Sequence, residues 1–189
     1  MPHLVVMVGI PGSGKSFFAD HFASTFSAPI VSSKTIRSAL VQTPSFSASE
    51  QAAVRRISYY LLDELLKTGQ TFVYDSMSDA RTDRQEIIRK AKLAGYHVLF
   101  VWVQTESATA RIRATKQSKD KASVISDEQF THFVKHFTVP SSVEKPIVIS
   151  GKHTYASQLK IVLSRLVVTP APQVSLPRQD VQVRRRLIR

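Results

Sequence analysis

The segment GIPGSGKS (9–16) near the N-terminus constrains the fold of this chain more than any other stretch. It fits the pattern G-x-x-x-x-G-K-[ST], it follows the apolar run HLVVMV (3–8), and it precedes a segment (15–26) whose aromatic residues have helical spacing. Average residue usage makes a chance match in a chain of this length about one in a hundred or rarer. The context predicts a buried parallel strand, a tight turn and a helix.

The residue types in this turn suit a phosphate cradle. Glycines let the backbone curl so that successive N–H groups point at phosphate oxygens, and the following helix adds its positive N-terminal end. A lysine at the seventh position reaches the β- and γ-phosphates, and the next hydroxyl ligates Mg²⁺. We therefore predict a catalytic lysine and a site for ATP and Mg²⁺ formed by Gly9, Ile10, Pro11, Gly12, Ser13, Gly14, Lys15, Ser16 and Phe17, with Ser16 as a metal ligand.

The rest of the chain alternates apolar strand patterns with amphipathic helix patterns. Strands are predicted at 29–32, 70–75, 96–103 and 146–150, and helices at 33–40, 47–69, 82–95, 106–116, 126–137 and 155–166. Near-continuous apolar strands between helices predict an α/β fold with a parallel sheet. In the helix at 126–137, Phe130, Phe133 and Phe137 are predicted to form the core face.

An acidic residue lies at the end of one predicted strand: Asp75 is the last residue of the apolar run QTFVYD (70–75). In proteins with this phosphate loop, an acid at that place orders the Mg²⁺ shell. We therefore predict Asp75 as a catalytic residue and as a second metal ligand.

Composition narrows the class of protein. The 189 residues include no cysteine, which excludes disulfides and thiolate nucleophiles and fits a cytoplasmic protein, and no predicted segment is long and apolar enough to span a membrane. The formal charge of +12 indicates either solubility alone or a polyanionic partner such as nucleic acid. We predict one domain over 1–168 and a flexible basic tail over 169–189, which holds five arginines and one aspartate.

Three segments together resemble the P-loop kinases of the polynucleotide-kinase type and the small bacterial ATP-binding proteins similar to them: GIPGSGKS, SSKTIR (32–37) and YDSMSDARTDRQEII (74–88). The resemblance implies a three-layer P-loop fold with about five parallel strands, a helical lid, and transfer of the ATP γ-phosphoryl group to a hydroxyl. It further implies that Arg111 and Arg113 are basic lid residues and that Arg37 binds a phosphate of the acceptor.

The chain departs from the family pattern at Lys34, where relatives that phosphorylate a 5′-hydroxyl carry the aspartate that accepts the proton. An ammonium group cannot accept a proton, and general-base assistance is worth ~10²–10⁴-fold. Three interpretations stay open. The protein is a kinase for another, anionic acceptor with Asp75 or Asp79 assisting; it is an ATP-binding or ATPase module without kinase activity; or Lys34 is a solvated residue outside the motif.

Overall fold

The computed structural model describes residues 1–116 and 124–168; the predicted basic tail at 169–189 lies outside the described residues. The strands are β1 His3–Val8, β2 Ile30–Ser32, β3 Phe72–Asp75, β4 His97–Gln104 and β5 Ile147–Ser150. The helices are α1 Lys15–Phe26, α2 Ser33–Leu40, α3 Ala48–Leu66, α4 Arg81–Leu93, α5 Ser107–Thr115, α6 Asp127–His136 and α7 Tyr155–Val168, with a short 3₁₀ helix at Ser142–Glu144.

The five strands form one parallel sheet in the order β2-β3-β1-β4-β5, which confirms the predicted fold class. The central strand β1 pairs with β3 and β4, so that Val5 lies opposite Val73 on one side and Leu99 on the other. Because all strands run in the same direction, their carboxyl ends meet at one edge of the sheet. At that edge Ser32, at the end of β2, lies beside Asp75, at the end of β3.

Alternate side chains of β1 point into two different apolar layers, as the pleat of a strand requires. Leu4, Val6 and Val8 pack in a cluster with residues of α3 and α4, whereas Val5 and Met7 pack in a cluster with residues of α1 and α7. The sheet is thus covered on both faces, which is the predicted three-layer arrangement. A third, smaller cluster joins α5 to α6 through Ala110, Ala114, Ile125 and Phe130. Within the described ranges, no helix has both the length and the apolarity to cross a membrane.

The helix boundaries follow the sequence signals closely, but the side chain of Glu50 near the start of α3 makes hydrogen bonds that the sequence does not predict. Ser47 caps α3 by accepting a hydrogen bond from the N–H of Glu50, as the serine and glutamate three residues apart predict. The Glu50 side chain, however, does not return to the N–H of Ser47. It accepts instead from the N–H groups of Ser45 and Phe46 and from Arg37. This difference shapes one wall of the site described below.

Candidate nucleotide-binding site

The loop between β1 and α1 has the backbone conformation that its glycines make possible. Gly9, Gly12 and Gly14 have φ values of 148°, 75° and 108°, in the region that residues with a side chain rarely adopt. A Cβ atom on Gly12 would lie 2.1 Å from the carbonyl oxygen of Ala110 in α5. Glycine is therefore needed there both for the turn and for the close approach of α5.

The two polar side chains at the start of α1 face the end of β3. Lys15 donates hydrogen bonds from Nζ to the carbonyl oxygens of Gly9, at 2.5 Å, and Ile10, at 3.1 Å. Ser16 donates from Oγ to Oδ2 of Asp75, at 2.6 Å. The structure therefore brings together Lys15, Ser16 and Asp75, which come from two separate sequence motifs.

The Asp75 carboxylate is 5% exposed. Burial raises its pKa above the ordinary value, and the Lys15 charge and the Ser16 hydrogen bond oppose this shift only in part. A hydroxyl and a carboxylate oxygen beside a phosphate loop are donors that suit Mg²⁺, which commonly keeps several water and phosphate ligands. No group of three or more histidine, cysteine, aspartate or glutamate side chains in the described part of the chain could hold a metal. Ser16 and Asp75 are thus the residues that fit Mg²⁺ together with nucleotide phosphates.

These residues open into one cavity of about 860 Å³, here called the site cavity. We call the lining that comes from the phosphate loop, α5 and the turn after β5 the loop half; it includes Lys15, Ser16, Arg113, Gly151 and His153. We call the lining that comes from α2, from the loops after α2 and β3, and from α6 with the segment before it the far half; it includes Lys34, Arg37, Phe46, Asp79 and Phe133 together with Met77 and Ile125. The cavity therefore has room for a second ligand group beside the phosphate loop.

The two predicted lid arginines lie on different sides of α5. Arg113 lines the site cavity and donates from a terminal guanidinium nitrogen to the carbonyl oxygen of Gly151, at 2.9 Å. Arg111 is exposed and contacts α6, where it donates to the Thr131 hydroxyl at 3.1 Å and lies 3.6 Å from Asp127. Only Arg113 of this pair is placed beside the phosphate loop.

The turn after β5 packs directly on the phosphate loop. A Cβ atom on Gly151 would lie 1.9 Å from the carbonyl oxygen of Ser13, which also accepts a hydrogen bond at 2.8 Å from the hydroxyl of Thr105, the residue after β4. Gly151 in this turn thus borders the loop half of the cavity.

Arg37 is buried, and its guanidinium is held by protein groups. Nε donates to Oε1 of Glu50 at 2.6 Å, and a terminal nitrogen donates to Oε1 of Gln51 at 3.1 Å. Burial alone would raise the pKa of Glu50, but hydrogen bonds from Ser45, Arg37 and Phe46 together lower it. The far half of the cavity therefore contains an ion pair at the position where the resemblance implies a phosphate-binding arginine.

The loop after β3 places Asp79 in the cavity wall. Arg84, which is fully buried, donates to the carbonyl oxygens of Ser78 and Asp79 and pairs with Glu144 of the 3₁₀ helix at 2.6 Å. Burial raises the pKa of Asp79, while the nearby Lys15 charge lowers it. Lys34 is exposed and lines the same half of the cavity.

Sequence reasoning missed Phe46, whereas Phe133 packs against the α5–α6 cluster, as its prediction on the core face of α6 requires. Both are half-buried, both line the far half of the cavity, and their ring centroids are 6.5 Å apart. A single aromatic residue within the polar stretch QTPSFSASE (42–50) was the signal that could have identified Phe46.

A five-stranded parallel sheet with a glycine-rich phosphate loop after its central strand, a Ser–Asp pair at the sheet edge and a helical lid defines a P-loop kinase-like fold. The model of a family described as an AAA domain matches residues 4–140, and the chain belongs to this family. A comparison with curated proteins found no significant match.

Solved structures share the fold at low sequence identity. A sugar kinase from Janibacter sp. HTCC2649 is 15% identical, with a TM-score of 0.65 over 90% of this chain and 96% of that one. Kti12 of Chaetomium thermophilum with ADP-AlF3 is 16% identical, with a TM-score of 0.67 over 89% and 100%. The APS kinase CysC of Mycobacterium tuberculosis with AMPPNP and APS is 20% identical, with a TM-score of 0.63 over 88% and 98%. The TM-scores show a common fold, and the low identities leave the activity to be argued from the site.

Proposed function

We propose that this protein binds ATP with Mg²⁺ and transfers the γ-phosphoryl group to a hydroxyl of an acceptor in the far half of the site cavity. The observation that carries the proposal is the continuity of that cavity. It joins the Ser16–Asp75 pair and the phosphate loop to a second half that has its own carboxylate, Asp79. The fold shared with sugar and APS kinases supports the same class of reaction.

The loop half provides charge and orientation. Backbone N–H groups of the phosphate loop, in which Pro11 has none to donate, and the N-terminus of α1 bind phosphate oxygens, and Lys15 moves from its loop carbonyls to the β- and γ-phosphates. Ser16 and Asp75 hold Mg²⁺, which when bound offsets negative charge on the phosphates. Arg113 lies beside this half and offsets the charge that develops on the transferred group. We assign Arg111 a structural role in the packing of α5 against α6, since its partners are on α6.

Asp79 is the carboxylate that we propose as the base, because Asp75 is hydrogen-bonded to Ser16. The acceptor hydroxyl gives its proton to Asp79 as its oxygen bonds to the γ-phosphorus. The bond from that phosphorus to the β,γ-bridging oxygen breaks, and the electron pair leaves with ADP. A pKa raised by burial brings this base closer to neutral pH, where general-base catalysis is most effective.

The test uses γ-labelled ATP with a 5′-hydroxyl oligonucleotide, nucleosides and small sugars as acceptors. Label in an acceptor supports the proposal. Asp79→Asn is expected to lower kcat by ~10²–10⁴-fold with an unchanged KM for ATP. Adding Lys34→Asp to that variant is expected to restore part of the rate, since β2 and β3 end side by side. Transfer that is insensitive to Asp79→Asn would remove the base assignment.

An ATPase or ATP-binding module is the second candidate, because Lys34 departs from the family pattern and Arg37, which matches it, is held by a protein carboxylate. Lys34 cannot accept a proton, and Arg37 is paired with Glu50. In this case the label appears only as free phosphate, whatever acceptor is offered. Binding of an oligonucleotide that weakens steeply with salt would identify nucleic acid as a partner of the basic surface.

A further inference from the structure

We propose that Ser33 is a site of self-modification, at which the protein transfers the γ-phosphoryl group of ATP to the Ser33 hydroxyl of the same chain. This inference rests on the proposed binding of ATP with Mg²⁺, and it concerns an acceptor inside the protein instead of an added one. It is supported by the position of Ser33 in the site cavity, the hydrogen bonds of the other hydroxyls there, and the charges around it.

Ser33 is the first residue of α2 and belongs to the far half of the site cavity. It is half-buried, and it lies three and four positions before Ile36 and Arg37, the two buried residues of this helix. Residues with that spacing share one face of a helix, so Ser33 lies on the inward face of α2. The same cavity contains the phosphate loop, where we propose that ATP binds.

The ends of β2 and β3 bring Ser33 close to the residues proposed to hold Mg²⁺. Ser32, which precedes Ser33, lies opposite Asp75 in the sheet, and adjacent strands are about 4.8 Å apart. Asp75 in turn accepts from Oγ of Ser16 at 2.6 Å. Ser33 is thus one residue beyond the strand end that borders this pair. Transfer within one chain needs such proximity, because the reacting oxygen and phosphorus must approach to ~3–3.5 Å.

The lining of the site cavity includes three serines, and the hydroxyls of two of them are engaged by other protein groups. Ser16 donates to Asp75, and Ser76 shares a hydrogen bond of 2.7 Å with Ser58 of α3. Both hydroxyls would have to give up these partners before they could accept a phosphoryl group. This comparison leaves Ser33 as the third lining hydroxyl.

The cap of α2 does not use the Ser33 hydroxyl. Ser32 is the N-cap, and its Oγ accepts from the N–H of Thr35 at 3.4 Å. Within the part of the chain that the structure describes, Oγ of Ser33 makes no hydrogen bond. Among those residues, Ser33 is therefore the lining serine whose hydroxyl is available for transfer without breaking a hydrogen bond.

The cavity also contains the groups that the transfer needs. Asp79 takes the proton of the Ser33 hydroxyl as its oxygen bonds to the γ-phosphorus, the bond from that phosphorus to the β,γ-bridging oxygen breaks, and the electron pair leaves with ADP. The new phosphate carries about −1.5 to −2 charge at neutral pH. Lys15 and Lys34 line the same cavity and offset this charge. A lysine at position 34 suits this product, because a carboxylate beside Ser33 would repel it.

The test incubates the full chain with γ-labelled ATP and Mg²⁺, without an added acceptor, and maps acid-stable label by mass spectrometry of peptides. Label is expected on Ser33, with at most one phosphate per chain and a first-order rate constant that is independent of protein concentration. Ser33→Ala is expected to lose the label, and Ser33→Thr to carry phosphothreonine at the same position. Ser38→Ala, at an exposed serine of the same helix outside the cavity lining, is the matched control and is expected to label like the wild type.

Parallel incubations with added alcohols separate this inference from the proposed function. If an added acceptor becomes labelled and the protein does not, the self-modification is overturned and the kinase proposal stands. If the protein is labelled at position 33 and no added acceptor is, the self-modification is supported, whereas transfer to a separate acceptor fails. Label at another residue, a rate constant that rises with protein concentration, or release of free phosphate alone would each overturn the self-modification.

Discussion

Arg84 and Glu144 form a buried ion pair whose removal should be costly, although neither residue has a predicted chemical role. The side chain of Arg84 is 0% exposed and that of Glu144 is 7% exposed, and Nε and Oε1 are 2.6 Å apart. Arg84 also donates to the carbonyl oxygens of Ser78, at 3.0 Å, and Asp79, at 3.1 Å. One guanidinium thus connects α4, the loop that carries Asp79, and the 3₁₀ helix.

The expected cost follows from the partners that are left behind. Arg84→Met keeps an apolar stem of similar length but leaves a buried carboxylate and two carbonyl oxygens without their donor. Removing one partner of a buried ion pair costs ~3–5 kcal/mol in the free energy of unfolding. At ~2–4 °C per kcal/mol for a chain of this size, the melting temperature should fall by about 6–20 °C. The double variant Arg84→Met/Glu144→Leu should recover much of that loss, because no buried charge remains unpaired.

Urea unfolding followed by circular dichroism measures these free energies, and the double-mutant cycle gives the coupling between the two side chains. Arg89→Met is the matched control, because Arg89 lies on the same helix and its pair with Glu86 is exposed. An exposed pair contributes little, so this variant should unfold like the wild type. The reasoning is refuted if Arg84→Met and Arg89→Met have equal effects, or if the double variant is no more stable than Arg84→Met.

The pH dependence of stability adds an independent check on the same pair. Burial alone would raise the pKa of Glu144, but hydrogen bonds from Arg84 and Ser141 hold it below the ordinary 4.5. A lowered folded-state pKa means that this stabilisation is present above about 4.5 and is lost as the pH falls through the folded value. In Arg84→Met that acid-sensitive contribution should shrink, which comparison of unfolding at pH 7 and at low pH measures.

Three further predictions concern the nucleotide half of the site. Lys15→Ala should lose the stabilisation by ATP–Mg²⁺, which at 100-fold excess over Kd is ~2.7 kcal/mol, or about 5–11 °C in a thermal melt; an unchanged ligand shift would contradict the assigned cradle. Asp75→Asn should melt at a higher temperature than the wild type at neutral pH without ligand, because a raised folded-state pKa makes the ionised carboxylate destabilising above that value; a lower melting temperature would reverse this argument. Gly151→Ala should weaken ATP binding in calorimetry, since its Cβ would meet the Ser13 carbonyl oxygen, whereas Gly95→Ala, with a φ of 76° and open space around it, should lower stability and leave ATP affinity unchanged.

The fold and the phosphate end of the site could be predicted from local patterns, for a physical reason. The G-x-x-x-x-G-K-[ST] pattern predicts the turn between the strand His3–Val8 and the helix Lys15–Phe26, and Asp75 ends a parallel strand. Because parallel strands end at the same edge, the hydrogen bond between Ser16 and Asp75 follows from the topology, although the residues are 59 positions apart. The predicted strand and helix positions agree with the structure to within about three residues.

The partners of the arginines could not be predicted from sequence, because a long cationic side chain pairs with whichever carboxylate the tertiary structure brings near. Arg37 pairs with Glu50 only because α2 and α3 pack together, and Arg84 pairs with Glu144 across 60 residues. The spacing of Arg111 and Arg113 along their helix does, however, predict that they differ in placement. Arg111 and Arg113 are two positions apart, which is about 200° around a helix, so they cannot both face the same cavity.

The far half of the cavity explains how a lysine at position 34 is compatible with phosphoryl transfer. β2 and β3 are neighbours, and Ser32 lies beside Asp75, so residues after either strand reach the same space. A carboxylate required near the acceptor hydroxyl can therefore come from the loop after β3, where Arg84 donates to the carbonyl oxygen of Asp79. The position after β2 does not then need a carboxylate and can be a lysine. In the proposed reaction Asp79 takes the proton of the acceptor hydroxyl, and Lys34 lines the same cavity. Under the proposed function, the change of sign at position 34 is therefore matched by a carboxylate elsewhere in the same cavity, since Asp79 also lines it.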